Sequence, residues 1–222
     1  MTADLFADDP SQPTQLRLSS EAVLLKGFAL PDADALLNDI ATITQRAPFR
    51  HMVTPGGKSM SVATTSCGDL GWVSDSRGYR YSPTDPQSDL PWPATPARWL
   101  DLAERAVQVS GLSSSGAPDA CLINRYAPGA RLSLHQDRDE RDFGAPIISI
   151  SLGLPAIFLW GGIQRSDRTQ AIPLEHGDVL LWGGVDRLRF HGVRPVAQGI
   201  AGTWDCRLNI TMRRRIESPR LF

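Results

Sequence analysis

The sequence predicts a mostly β protein with flanking helices, of the sandwich or jelly-roll type. Gly, Pro and Asp separate a series of short apolar or alternating runs in the second half of the chain, as turn residues separate strands. Many short strands at this spacing are typical of such folds. The runs lie at 119–126, 131–137, 146–152, 156–160, 178–182, 188–193 and 204–213.

Two helices are predicted before this β region. Leu36, Ile40 and Ile43 recur at helical spacing and indicate the first helix. The second helix is expected to begin at Thr95-Pro96, with Thr95 as the N-cap and the proline in the first turn. Gly111 is expected to end it.

Length and charge limit the classes of protein to which the chain can belong. Its 222 residues, 41% of them hydrophobic, suit one domain with a substantial core. The 23 basic and 24 acidic residues give a net charge of −1, which excludes a globally basic nucleic-acid binder. Segment 50–92, rich in Trp and Tyr among Gly and Pro, is interpreted as an elaboration of this domain.

The uncharged stretch from Phe143 to Gln164 is long enough to span a membrane. It contains Pro146, Pro155 and a period-two run at 148–152, so two buried strands fit it better. The three cysteines lack paired spacing, which excludes a disulfide framework. We therefore expect a soluble, cytoplasmic protein. A monomer is also expected.

The histidines are the residues that most clearly indicate a metal site. His135 and Asp137 are two residues apart, so on a strand they point to the same face. His191, on another predicted strand, can complete a set of two His and one carboxylate. Such a set leaves positions open on an octahedral ion, as in non-haem Fe(II) oxygenases, whereas closed zinc sites use four protein ligands. His176 is the rival third ligand, although a structural role is the favoured interpretation for His51 and His176.

The last predicted strand has complete period-two alternation. Its polar positions are Arg207, Asn209, Thr211 and Arg213. They can form the wet face of an edge strand, or a cradle for a dicarboxylate, because guanidinium groups bind carboxylates bidentately. Asn124 and Tyr126 share a face of another strand and can add polar contacts. Combined with the predicted iron ligands, these residues point to 2-oxoglutarate as a cosubstrate.

The sequence resembles the bacterial AlkB family of Fe(II)/2-oxoglutarate-dependent demethylases, which repair alkylated nucleic acid. The resemblance runs in consistent order from about residue 4 to 213. The stretches that carry it are 52–57, 70–72, 119–129, 132–137, 150–158, 175–178 and 207–213. One departure is Thr64, where a related bacterial member carries the bulkier Met. Arg214 and Arg215 follow the resembling region and are expected to lie in a solvated tail.

The resemblance implies a single dioxygenase domain over 1–222. Within it, a double-stranded β-helix core covers about 115–213 and a nucleotide-recognition lid about 50–92. The implied iron ligands are His135, Asp137 and His191. The implied 2-oxoglutarate ligands are Asn124, Tyr126, Arg207, Asn209 and Arg213. The implied nucleotide contacts are Trp72, stacked on an extruded base opposite His135, together with Tyr79, Tyr81, Arg165 and Asp139.

The implied activity is oxidative demethylation of N1-methyladenine and N3-methylcytosine in DNA, with RNA as a further candidate substrate. Formaldehyde is released, and 2-oxoglutarate is converted to succinate and CO2. These lesions are cationic, so Asp139 at the base edge is expected to favour them over neutral bases. Two opposite charges about 4 Å apart, at an effective dielectric constant of about 20, attract by roughly 4 kcal/mol before the cost of desolvation is subtracted.

Two alternatives remain open from the residues alone. The iron ligands and the Arg-bearing strand also suit a 2-oxoglutarate-dependent hydroxylase of a small molecule or a protein. A non-enzymatic, cupin-type binding module would use the histidines structurally. Trp72, Tyr79 and Tyr81 favour a nucleotide substrate, because aromatic faces stack on bases.

Overall fold

The computed structural model describes residues 14–138, 143–200 and 203–215. These ranges form two α-helices, α1 (Ala33–Arg46) and α2 (Ala97–Ser110), and fourteen strands. The strands are β1 (Gln15–Ser19), β2 (Ala22–Leu25), β3 (Arg50–Val53), β4 (Ser59–Gly68), β5 (Gly71–Asp75), β6 (Gly78–Ser82), β7 (Ala120–Tyr126), β8 (Leu132–His135), β9 (Ile147–Gly153), β10 (Ala156–Trp160), β11 (Gln170–Leu174), β12 (Val179–Trp182), β13 (His191–Val193) and β14 (Arg207–Arg213).

Two antiparallel sheets form the body of the protein. The large sheet has the order β1-β2-β12-β9-β14-β7-β4-β3, and the small sheet the order β11-β10-β13-β8. Apolar side chains of both sheets, among them Leu180 and Trp182 of the large sheet and Phe158 and Val193 of the small one, form a shared core. This arrangement confirms the predicted jelly-roll class.

The outer face of the large sheet is covered by the two helices. Leu36 and Ile40 of α1 and Trp99 of α2 pack with Ile123 of β7 and Ile210 of β14 in one buried cluster. Gly111 ends α2 in the left-handed conformation (φ +70°), as predicted. Because the helices bury the apolar side of β14, its polar side is left facing the space between the sheets.

Strands β5 and β6 form a separate two-stranded sheet, termed the hairpin below. It rests on a small apolar cluster that includes Val73 and Trp92. The Trp92 indole nitrogen donates to the Ser82 carbonyl oxygen (3.0 Å). A Cβ atom at Gly71 would lie 2.2 Å from the Trp92 ring, so only glycine permits this close packing.

Several predicted boundaries were wrong. Pro96 rather than Thr95 is the N-cap of α2, and no side chain caps this helix. Strand β11 was missed because Pro173 interrupts its pattern, which is tolerated at the edge of the small sheet. Strands β1 and β2 were not predicted either. Strand β4 of the 50–92 segment pairs with β7 in the large sheet.

The uncharged stretch from 143 to 164 forms β9 and β10, as expected. Among the described residues, no helix combines the length and hydropathy needed to cross a membrane. The expectation of a solvated tail was wrong for its first two residues, because Arg214 and Arg215 are only partly exposed. Arg214 Nη1 donates to the Ala117 carbonyl oxygen (3.0 Å).

Candidate metal and dicarboxylate site

The three predicted metal ligands meet at the end of the small sheet. His135 is the last residue of β8 and His191 the first of β13, and the two lie opposite each other in register. Asp137 follows β8 by two residues. Its Oδ1 lies 3.6 Å from His135 Nε2, and its Oδ2 lies 3.8 Å from His191 Nε2. One ligand atom from each side chain lies within 4.8 Å of the others, a spacing that can hold a metal ion.

Backbone carbonyl groups orient both imidazole rings. His135 Nδ1 lies 2.9 Å from the Ser133 oxygen, and His191 Nδ1 lies 2.9 Å from the Arg189 oxygen. An Nδ1–H that donates to these oxygens leaves each Nε2 lone pair directed at the cluster, which is the tautomer that binds a metal. Two His and one carboxylate, with positions left open, are the donor set of mononuclear Fe(II) oxygenases.

Burial and neighbouring charges set the protonation states of this cluster. Burial lowers the pKa of His191 to about 4, and the nearby His135 acts in the same direction. Burial alone would raise the pKa of Asp137, but Arg213 and the two histidines outweigh it and hold this pKa well below its usual value. At neutral pH the cluster therefore contains a carboxylate and a neutral His191, the forms that coordinate metals.

Arg213 of β14 is bound directly to the carboxylate of Asp137. Its Nε and Nη2 donate to Asp137 Oδ2 at 3.1 and 2.8 Å. Both side chains are about nine-tenths buried. This pair joins the end of the small sheet to the centre of the large sheet, and it puts a predicted cosubstrate ligand in contact with a predicted metal ligand.

Arg207, at the other end of β14, is a buried cation that can receive an anion. Its side chain is 1% exposed and lies 5.0 Å from the centre of the Tyr126 ring. Nη2 donates to Ser151 Oγ (3.1 Å), whereas Nε and Nη1 have no hydrogen-bond partner within the ranges described. Burial lowers the pKa of Arg207 and raises that of Tyr126. A buried guanidinium with unused donors is costly unless an anion pairs with it, so this environment fits a carboxylate.

Asn124 and Asn209 lie opposite each other on β7 and β14. Asn124 Nδ2 donates to Asn209 Oδ1 (3.2 Å), which also accepts from Thr211 Oγ1 (2.8 Å). Asn209 Nδ2 donates to Ser149 Oγ (2.8 Å) and to the Ile150 oxygen (3.0 Å). These buried amides are therefore held in fixed orientations by protein partners.

A cavity of about 720 Å³ connects these groups. The three metal-cluster residues, the polar face of β14 and the aromatic side chains of the hairpin all line it. Thr64, the noted departure from the resembling family, also lines the cavity and is 1% exposed. The volume suits a small ligand together with part of a larger one.

The hairpin contributes three aromatic residues to the cavity wall. The rings of Trp72 and Tyr79 stack with centroids 5.5 Å apart and planes 14° apart. Tyr81 lies opposite Trp72 in the register of the hairpin. Arg165 also lines the cavity, and its Nη1 donates to the Leu134 carbonyl oxygen (2.9 Å). Asp139 lies outside the described residues.

The structure also separates the two remaining histidines from this site. His176 Nδ1 accepts a hydrogen bond from the Gly153 amide (3.0 Å), and its ring stacks on Trp204. His51 Nδ1 lies 2.8 Å from the Met60 oxygen. The favoured structural interpretation of both residues is therefore supported, and His176 is not the third member of the cluster.

Sequence reasoning missed the two serines of β9. Ser149 and Ser151 are buried beside β14 and hold Asn209 and Arg207. The run Ile148-Ser-Ile-Ser-Leu152 was recognised as a strand, but its alternation also places both serines on one face. That shared polar face was the signal for their role.

Residues 21–213 match the family model of the 2OG-Fe(II) oxygenase superfamily. The alpha-ketoglutarate-dependent dioxygenase AlkB of Escherichia coli (strain K12) is 53% identical over 211 residues, covering 95% of this chain and 96% of the relative. The tRNA demethylase abh1 of Schizosaccharomyces pombe is 34% identical over 124 residues, covering 56% of this chain and 41% of that protein. The solved structure of OsALKBH1 has a TM-score of 0.81 at 29% identity, covering 90% of this chain and all of that one.

We predict that the metal-free protein loses stability as the pH falls from about 6.5 to about 4. The unfolded chain takes up a proton at His191 near pH ~6.5, whereas the folded state resists protonation until about pH 4. Because the unfolded state binds the proton first, acidification favours unfolding, by up to about 3 kcal/mol. Denaturant unfolding with a chelator present, repeated across this pH range, measures the effect.

The variant His191→Gln should lose this part of the pH dependence. The same change at the exposed His51 is the control and should keep it. A His191→Gln protein whose unfolding free energy falls with pH as steeply as the wild type would contradict the prediction.

Proposed function

The chain belongs to the AlkB family within the 2OG-Fe(II) oxygenase superfamily, and we propose that it is an oxidative demethylase of alkylated nucleic-acid bases. The observation that carries the proposal is one cavity shared by three features. These are the His-Asp-His cluster, a buried guanidinium with unused donors, and a hairpin wall of aromatic rings. The first two suit Fe(II) and 2-oxoglutarate, and the third suits a base.

His135, Asp137 and His191 would hold the ferrous ion. Arg207 is the residue best suited to the distal carboxylate of 2-oxoglutarate, because its buried Nε and Nη1 lack partners among the described residues. Tyr126 supports the Arg207 guanidinium from one side. Asn124, Asn209 and Arg213 complete the proposed binding wall. When bound, Fe(II) and 2-oxoglutarate supply the oxidation of an N-methyl group by O2, with succinate and CO2 as coproducts and formaldehyde leaving the base.

For that reaction, the residues of this chain orient the proposed metal ligands and exclude water from part of the site. Arg213 keeps Asp137 ionised and fixes one of its oxygens. The two backbone carbonyl groups at residues 133 and 189 keep the imidazoles in the coordinating tautomer. The aromatic side chains Phe158 and Trp182 pack against His191 and exclude water from its side of the cluster.

The hairpin would receive the substrate base. A methyl group inside a base stack cannot reach a buried metal, so the nucleotide must be extruded. Trp72, Tyr79 and Tyr81 offer aromatic faces on which an extruded base can stack. Arg165 would contact the same nucleotide and Asp139 the edge of the base. Within the segment 50–92, the hairpin would thus act as the nucleotide-recognition lid, beside a core at about 115–213.

We further propose that DNA bearing N1-methyladenine or N3-methylcytosine is the substrate, with alkylated RNA as a second nucleic-acid target. The net charge of −1 implies few phosphate contacts and a shallow dependence of binding on salt. We also propose that the protein acts as a monomer in the cytoplasm.

Incubation with Fe(II), ascorbate, 2-oxoglutarate and an oligonucleotide bearing N1-methyladenine should release formaldehyde. His135→Ala should reduce the release to background, because it removes a metal ligand. His51→Ala, which changes a histidine outside the cavity, should leave it unchanged. Formaldehyde and the repaired base are measured together. A wild-type protein that binds iron and 2-oxoglutarate but releases no formaldehyde would contradict the demethylase and favour a hydroxylase of small molecules or proteins.

Arg207→Ala should raise the KM for 2-oxoglutarate by roughly 100-fold, because a buried ion pair with the cosubstrate is lost. Arg207→Lys should recover part of this loss, since it keeps the charge but not the bidentate geometry. Arg98→Ala, on the exposed side of α2, controls for the general loss of a positive charge. An Arg207→Ala enzyme with an unchanged KM for 2-oxoglutarate would assign the carboxylate to another residue.

A further inference from the structure

Arg215 lies just beyond the family-matched region and contacts the hairpin. Its guanidinium carbon lies 5.7 Å from the centre of the Tyr81 ring. A cation within about 6 Å of an aromatic centroid is attracted to the face of the ring. Arg215 is half-buried, so water screens this attraction only partly. A residue expected to lie in a solvated tail is thus in contact with the proposed substrate wall.

Hydrogen bonds to Asp119 fix the backbone of the segment that contains Arg215. The Arg215 amide donates to Asp119 Oδ1 (2.7 Å), and the Asp119 amide donates to the Arg213 carbonyl oxygen (3.0 Å). The Asp119 carbonyl oxygen accepts from the Asp69 amide (3.1 Å), in the loop that leads into the hairpin. Asp119 therefore connects the segment after β14 to the base of the hairpin.

Tyr81 of that hairpin contributes its ring to the aromatic wall of the cavity. It lies opposite Trp72, and Trp72 stacks on Tyr79, so the three rings form one continuous wall of the cavity. The hairpin is fastened to the body near its ends, where Ser74 Oγ donates to the Val53 oxygen (2.7 Å) and the Trp92 indole donates to the Ser82 oxygen (3.0 Å). The contact with Arg215, by comparison, restrains the ring of Tyr81, which is itself part of the wall.

We propose that Arg215 is a positioning residue for nucleotide recognition, which holds Tyr81 in place before the substrate arrives. The inference rests on the proposed demethylase function. A ring that is already ordered loses less conformational freedom when a base binds, so binding is tighter. The guanidinium also places a positive charge next to Tyr81, one of the residues that line the cavity. Within the part of the chain that the structure describes, the contacts of Arg215 are with Tyr81 and Asp119 rather than with the metal cluster or Arg207, so we expect it to affect binding of the nucleic acid and not the chemical step.

The test compares Arg215→Ala with Arg214→Ala, because both remove one positive charge from adjacent positions. Arg215→Ala should raise the KM for the methylated oligonucleotide about fivefold. Its kcat and its KM for 2-oxoglutarate should stay at wild-type values, since the lost interaction precedes the reaction. Arg215→Lys should restore part of the loss. Arg214→Ala, which loses a contact with Ala117 in the loop before β7, should remain within about twofold of wild type.

A double-mutant cycle with Tyr81→Leu tests whether Arg215 acts through the Tyr81 ring. Once the ring is absent, adding Arg215→Ala should cause little further change in KM. An equal effect of Arg215→Ala with and without the ring would overturn the proposal, because the arginine would then act on the phosphates alone. Equal effects of Arg214→Ala and Arg215→Ala would overturn it for the same reason.

Hydrogen exchange keeps this inference separate from the proposed function. The amides of β5 and β6 should exchange faster in Arg215→Ala than in the wild type or in Arg214→Ala, without any substrate. A wild-type protein that releases no formaldehyde would refute the demethylase, while faster exchange would still support the contact. Unchanged exchange in Arg215→Ala would refute the positioning role whatever the activity.

Discussion

The ion pair between Asp137 and Arg213 is the interaction on which the rest of the site depends. It brings a carboxylate from the end of the small sheet against the central strand of the large one. Burial of Asp137 alone would favour its protonated form, and Arg213 reverses that preference. Removing either partner would leave an uncompensated buried charge, at a cost of about 3–5 kcal/mol. The pair therefore keeps the proposed metal ligand charged and holds the two sheets together at the cavity.

Strand β14 shows how one strand serves both stability and chemistry. Its apolar side, with Ile210 and Met212, belongs to the core under the helices. Its polar side presents Arg207, Asn209 and Arg213 to the cavity, all buried and all in one row. Because the strand lies between β9 and β7, neighbouring backbones fix its register on both sides. The spacing of the cationic groups is thus set by the sheet rather than by flexible loops.

Local patterns in the sequence predicted the parts of the site that follow strand periodicity. The alternation of β14 and the His-x-Asp spacing are readable because side chains repeat every two residues. The wet edge-strand alternative for β14 was wrong, since the strand is central and its polar face buried. That outcome depends on the pairing of β14 with β9 on one side and β7 on the other, which no pattern within β14 itself reveals. The contact of Arg215 with Tyr81 joins residues far apart in the chain, so no local sequence pattern could predict it.

The central claim is that the metal cluster and the buried arginines form one composite site. It is tested most directly by calorimetric titration of 2-oxoglutarate, without oxygen, into protein loaded with Mn(II) and into protein treated with a chelator. A keto acid that contacts both the metal and Arg207 should bind about tenfold or more tightly when the metal is present. Asp137→Ala should lose this enhancement, because the metal is no longer held. Equal affinities with and without metal in the wild type would contradict the account, since the two halves of the cavity would then bind independently.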